Sequence, residues 1–361
     1  MAFAQWSALM LLARYIAEHF FKAAGIALAV LLSLFSFLAL AEALESVGEG
    51  SFTTADAISV VLLTTPARFL DLLPVTTLLG SVLGLGLLAN HHELTAMRAA
   101  GLSAARLART LAAIAAALVA VAIALQFVVI PAAERKAQEF RARTLEQTAR
   151  GGAEFWSRHD QRVIRVGEVA FGRIPRDIEI YEMGPANHLV HVLLAVRADI
   201  ESAHRWLLHD VEERVIDGDT VSGRHLESLP WPSFLSPDQI STLVSPAHAL
   251  SPIDLYRYLR ETAGSGLDTR EHQVRFWHQV SLPLTLFGMT LLGLPLVAGA
   301  VRARSTGLRT IIGGAIGIAF YLFERITGQL ALLLDLDPAF TALVPALLVM
   351  TAALLGIRRL R

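Results

Sequence analysis

The sequence predicts a membrane α-helical bundle of six transmembrane helices, three on either side of an inserted all-β domain. Three observations predict it. Of 361 residues, 54% are hydrophobic and only 17% charged, against about 25% charged in an ordinary soluble domain, and mean hydropathy is +0.52. The apolar residues gather in blocks at both ends, leaving a middle third that reads as ordinary soluble protein. Basic residues collect in alternate loops and acidic ones in the loops between. The expected segments are 1–133 (an N-terminal amphipathic helix and spans one to three), 134–271 (the β domain with linkers) and 272–361 (spans four to six).

The elements follow in order. Residues 1–20 mix Trp6, Leu9, Leu12, Ile16 and Phe20 with Arg14, Glu18 and His19, the pattern of an interfacial helix rather than a cleaved signal. A span needs about 20 mostly apolar residues, and 21–44 supplies them. Residues 57–89 are interrupted by Pro66, Arg68, Asp71 and Pro74, so a long second span broken near its outer end is expected, its clean part being 72–89. The third span is 107–130, continuing helically over 135–150. Short apolar runs then alternate with turn clusters such as His159-Asp160-Gln161, Met183-Gly184-Pro185 and Asp217-Gly218-Asp219. That spacing means an antiparallel sandwich or open barrel. Residues 230–252, with five prolines, read as an irregular return, and spans resume at 276–301, 308–334 and 340–357.

Arg98, Arg106 and Arg109 lie between spans two and three, Arg302, Arg304 and Arg309 between four and five, and Arg358, Arg359 and Arg361 at the end. The opposite loops hold Glu42, Glu45, Glu49, Asp56, Asp335 and Asp337 without Lys or Arg. The positive-inside rule places the basic loops and both termini in the cytoplasm. The net charge of −1 argues against nucleic-acid binding. With no cysteine, thiolate metal sites are excluded. Lys22 and Lys136 are the only lysines and each precedes Ala, so the Gly-Lys-Ser/Thr phosphate loop is absent. His92-Glu93 begins like a zinc-protease helix, but the second histidine position is Ala96. Histidines such as His188 and His191 read as solvated strand residues, and no cofactor or metal is expected.

The loop over 90–109 carries His92, Glu93, Leu94, Thr95, Met97 and Arg98, with Gly101 as a helix stop. It is either a charged connector that sets topology or a coupling helix that docks on a cytoplasmic partner. Arg68 with Asp71, and Glu324 with Arg325, are ionisable residues at membrane depth, read as self-neutralising neighbours. Gly80, Gly84 and Gly86, with Gly313, Gly314 and Gly317, offer small faces to a helix of this chain or a partner.

Leu73-Pro74, the run Leu78-Leu79-Gly80-Ser81-Val82-Leu83-Gly84-Leu85-Gly86 and the run from Glu93 to Gly101 together resemble the lipopolysaccharide export permeases, LptF and LptG. Phe155-Trp156-Ser157, 178–181 and Phe320-Tyr321 fit the LptG side better. The resemblance implies six spans per subunit and a periplasmic β-jellyroll after span three. It also implies a paralogous permease subunit as heterodimer partner, a cytoplasmic ATPase dimer, and a periplasmic bridge protein that receives lipopolysaccharide. A glutamate matched by Glu93 contacts the ATPase, which makes residues 92–98 the coupling site. Family lysines on outer span one are replaced here by Ala39, Glu45 and Ser46, whereas Arg141 matches a basic family position. The phosphate site is thus moved to Arg141 and Arg143, or the lipid carries less phosphate.

An apolar wall from spans one and five, with Phe35, Phe37, Leu38, Phe320 and Tyr321, is the expected lipid surface; the same aromatics would also serve as helix core or face the bilayer. Two other classes fit the residues: a proton-driven transporter using Asp71 or Glu324, and a membrane-anchored scaffold for the β domain.

Overall fold

The computed structural model describes residues 2–48, 50–144, 155–159, 161–170, 174–184, 188–202, 205–217, 220–233, 250–262, 269–298 and 306–360. These form two compact units. The first comprises 1–41, 64–130 and 273–361, and the second 42–63 and 131–272. Glu49, Asp160, Pro185, Gly218, Asp219, residues 234–249, Arg302, Arg304 and Arg361 lie outside the described residues, as do the side chains of Trp6 and Leu9.

Six helices are long and apolar enough to cross a membrane. They are α1 (Ala2–Glu45), α2 (Thr54–Asn90), α4 (Ala104–Ala124) continued by α5 (Ile130–Thr144), α7 (Arg270–Ala298), α8 (Thr306–Leu333) and α9 (Pro338–Arg358). The short α3 (Glu93–Ala99) joins α2 to α4. The interfacial segment and span one form one unbroken helix of 44 residues. At about 66 Å it is twice the thickness of a bilayer core. The expected break in span two is also absent: α2 runs continuously through Pro66 and Pro74. A proline inside a helix frees a carbonyl one turn back, and that is tolerated in a span packed among neighbours. Thr76 and Thr77 donate to the Leu73 and Pro74 carbonyls, adding donors at the second proline. Between α4 and α5 the helix widens into a π turn over Leu125–Val129.

Close approach explains why α2 is the centre of the first unit. A Cβ on Gly84 would lie 3.0 Å from the His19 carbonyl and the Phe20 Cα, and one on Gly80 would lie 2.6 Å from Ala24 Cβ. The Gly80-x-x-x-Gly84 spacing therefore seats α1 on α2, as small residues at i, i+4 do in lipid. On another face Ser81 donates to the Thr290 carbonyl of α7 at 2.7 Å, where Gly293 lies against Ser81. Gly313 and Gly317 bring α8 against Val82 and Val75 of α2. Both glycine pairs are thus used within this chain, whereas Gly86 and Gly314 face open space.

In the second unit, β1 (Phe155–His159), β2 (Arg162–Ala170), β3 (Ile174–Met183), β4 (Leu189–Ser202), β5 (Arg205–Asp217) and β6 (Thr220–Trp231) form one antiparallel sheet in chain order. Ile164, Val166, Ile178, Ile180, Leu193, Ala195, Trp206, Leu208 and Val211 build its core, and the Trp206 and Trp231 rings meet edge to face at 5.9 Å. Alternation changes phase across the sheet. On β4 Leu193 and Ala195 are buried, then Ala198; on β5 Trp206 and Leu208, then Val211. Asp177 and Asp210, both with positive φ, mark this line. The left-handed backbone there, which Asp tolerates, turns the buried face by one residue while the strand pairing keeps its register. A helix that the sequence pattern missed, α6 (Pro252–Glu261), starts at Ser251, whose hydroxyl accepts from the Asp254 amide. It buries Leu255 and Tyr258, a three-residue spacing hidden among polar neighbours.

Candidate functional site

The loop between α2 and α4 is built by two left-handed residues. His92 adopts φ 60° after α2 ends, and its carbonyl accepts from Ala96 to open α3. Gly101 adopts φ 93° after α3, and the Leu102 amide returns to the Met97 carbonyl, the closure typical of a helix C-terminus. Ser103 then caps α4 by accepting from the Arg106 amide at 3.3 Å.

Within this frame the candidate residues separate. Leu94 is 5% exposed and belongs to the same apolar cluster as Ile16, Phe20, Leu88, Leu107 and Leu111. His92 and Thr95 are exposed, and Glu93 and Met97 are half-buried. The Arg98 side chain lies outside the described residues. Glu93 is braced: the Tyr15 phenol of α1 donates to its Oε2 at 2.9 Å, and His91 Nδ1 is 3.8 Å from its Oε1. Nothing in the local pattern of the loop signals Tyr15, because it comes from the first helix. The base of the loop is held as well. Arg309, placed between spans by its charge, lies inside α8, is 6% exposed and donates to Asn90 at 3.4 Å.

Of the apolar-wall residues, Phe35 of α1 and Tyr321 of α8 meet edge to face, ring centroids 6.0 Å apart. Phe37 and Leu38 are exposed, 68% and 49%. Phe320, one position from Tyr321, turns the other way into the helical core. Arg141 is exposed on α5 in the second unit, and the Arg143 side chain lies outside the described residues. Glu324 has a partner other than its neighbour. His278 Nε2 of α7 lies 3.3 Å from Glu324 Oε1, while Arg325 is exposed. A polar contact between two helices fixes their register, which a pair within one helix cannot do.

The sheet carries a row of ion pairs across its strands. Glu182 of β3 lies 3.7 Å from Arg162 of β2 and 3.3 Å from His191 of β4. His191 in turn is 2.8 Å from Glu213 of β5, which also pairs with Arg224 of β6. His191 is therefore a bridging residue rather than a solvated one. The Arg224 guanidinium, and to a smaller degree His191, hold the Glu213 carboxyl below the usual carboxylate range against the opposing effect of its burial. On the same sheet Tyr181 donates to Glu179, which raises the phenol pKa. Among the described residues no group of three or more metal-ligating side chains gathers.

Comparison with known proteins agrees with this layout. The family model for the lipopolysaccharide export system permease LptF/LptG matches residues 14–359. The lipopolysaccharide export system permease protein LptG of Escherichia coli K12 is 28% identical over 340 residues, covering 92% of this chain and 94% of that protein. Its namesake in Haemophilus influenzae is also 28% identical over 340 residues, covering 93% and 94%. From end to end, through the helices, the inserted sheet and the loop around Glu93, the chain belongs to the LptF/LptG permease family.

Proposed function

We propose that this chain is an LptG-like transmembrane subunit of an ABC transporter, which extracts lipopolysaccharide from the inner membrane and passes it to a periplasmic bridge. Both termini lie in the cytoplasm and the β domain in the periplasm, as the basic loops imply. The segments 1–133, 134–271 and 272–361 then act as input helices, lipid-handling domain and closing helices. A paralogous permease completes the lipid cavity, and a separate cytoplasmic ATPase dimer drives it, because this sequence has no phosphate loop of its own.

One observation carries the reading: α3 is anchored by Leu94 in the bundle core while it presents Thr95 outward and a braced Glu93 beside it. A force on such a helix is transmitted, because a buried leucine cannot slide without opening a void. Residues 92–98 are the coupling site in this reading. Moving a lipid chain into water costs about 0.8 kcal/mol per CH₂, so the route must stay apolar. The uncovered faces of α1 and α8, with Phe35, Phe37, Leu38 and Tyr321, suit that wall, and Arg141 and Arg143 suit the lipid's phosphates. The test is Glu93→Arg in the reconstituted complex. ATP-driven release of lipopolysaccharide should fall at least tenfold, with loss of co-purified ATPase; unchanged release would overturn the coupling role. Transport driven by a proton gradient without ATP would overturn the whole reading.

A further inference from the structure

The hydrogen bond that braces Glu93 comes from α1. Tyr15 donates its phenol proton to Glu93 Oε2 at 2.9 Å, and its ring lies against His19, centroids 4.4 Å apart. The His19 backbone is where Gly84 admits α2, at 3.0 Å from a virtual Cβ. Leu12 and Ile16, flanking Tyr15 on α1, pack in the same cluster as Leu94. The first turns of α1, the loop helix and the glycine seam of α2 therefore meet in one place.

Beyond that place α1 changes character. Ile26, Val30, Leu34 and Phe37 are 67%, 64%, 52% and 68% exposed, and its described aromatic contact farther along is Phe35 with Tyr321. The helix is unbroken from Ala2 to Glu45. A displacement at Tyr15 that slides or turns the helix on its seam at Phe20 and Ala24 therefore appears at Phe35, about 30 Å away along the helix.

We propose that Tyr15 is a positioning residue that fastens α1 to the loop helix, so that motion of Glu93 is delivered to α1 directly as well as through α2. The proposal rests on the coupling reading above and assigns its path. Glu93 serves two partners at once: its carboxylate accepts the Tyr15 proton from inside and stays available on the outer side to a donor of the ATPase. A carboxylate has lone pairs enough for both.

The experiment uses the native complex, purified from membranes and reconstituted with lipopolysaccharide, carrying Tyr15→Phe, Glu93→Gln, Glu93→Arg, or Tyr15→Phe together with Glu93→Arg. Because the chain has no cysteine, Phe35→Cys with Tyr321→Cys reports the α1–α8 contact by cross-linking. Tyr15→Phe keeps the ring and removes only the donor. It should leave ATPase co-purification at wild-type stoichiometry, lower lipid released per ATP hydrolysed about tenfold, and abolish the ATP-dependent change in cross-linking. Added to Glu93→Arg, whose guanidinium has no acceptor for the phenol proton, it should cost less than twofold more, since both then remove one interaction. Release per ATP within twofold of wild type, with cross-linking still responsive to ATP, would overturn the role of Tyr15 while defects in Glu93→Gln leave the coupling reading standing. If Glu93→Gln and Glu93→Arg are both silent, the coupling reading itself is overturned and this proposal with it.

Discussion

α1 and α2 are both long apolar helices, yet 78% of the apolar stretch of α2 is buried within the chain, against 6% of that of α1. Composition does not separate them; side-chain size and placement do. α2 places Gly80, Gly84, Ser81, Thr76 and Thr77 where neighbouring backbones come close. α1 presents Leu, Ile, Val and Phe outward along most of its length. In lipid, burying large aliphatic groups between helices gains little over leaving them in the bilayer, so close packing and polar contacts decide which helix is central. α8 combines both habits. One stripe of Gly313, Gly317, Phe320, Glu324 and Ala331 turns inward, and Ile311, Ile318, Leu322, Ile326 and Leu333 are left outside.

The hardest test of this contrast is the inter-helix pair. His278→Leu leaves the carboxylate of Glu324, 13% exposed, without its inter-helix partner, and should lower stability by about 3 kcal/mol, read as thermal unfolding of the detergent-solubilised protein. Pairing it with Glu324→Leu should recover most of the loss. Next comes the seam: Gly84→Leu forces α1 from α2 and should cost about 2 kcal/mol, whereas Gly86→Leu, facing open space, should be silent in the same assay. Equal effects at 84 and 86 would show that the seam does not hold α1. A smaller loss is expected from Ser81→Ala, which removes the donor to the Thr290 carbonyl; about 1 kcal/mol would match polar contacts between membrane helices.

Away from the bundle, the Glu213 pairs give a pH signature. Its folded pKa is depressed, so its contribution is present above the ordinary carboxylate pKa and is lost as pH falls through the folded value. The β domain should therefore lose stability in acid more gradually in Arg224→Ala than in wild type, as followed by circular dichroism. Small for stability as well is Phe37→Ala on the open face of α1, expected within about 0.5 kcal/mol of wild type. In the proposed reading it lowers lipid release nonetheless. A large stability loss there would mean that α1 is covered by protein rather than lipid.

Much of this was legible in the residues themselves. Runs of apolar residues marked six spans, alternation marked the strands, and Gly101 marked the end of the loop helix, because each depends on neighbours within a few positions. The resemblance around residues 73–101 pointed to the family before any geometry was known. What misled was local: Pro66 and Pro74 read as a break, since nothing nearby says that a packed span tolerates them, and Arg309 read as a loop charge although it is buried beside Asn90.

The sequence by itself determined the order of elements, the alternation of charge between their loops, and the loop in which Glu93 sits. Only the tertiary structure decided that Tyr15 braces Glu93, that His278 rather than Arg325 answers Glu324, that the glycine pairs serve helices of this chain, and where the strands change their buried face. The physical reason is common to all four. Hydropathy and periodicity are properties of a segment, whereas a hydrogen bond, an ion pair or a backbone approach belongs to two segments that the chain brings together only on folding.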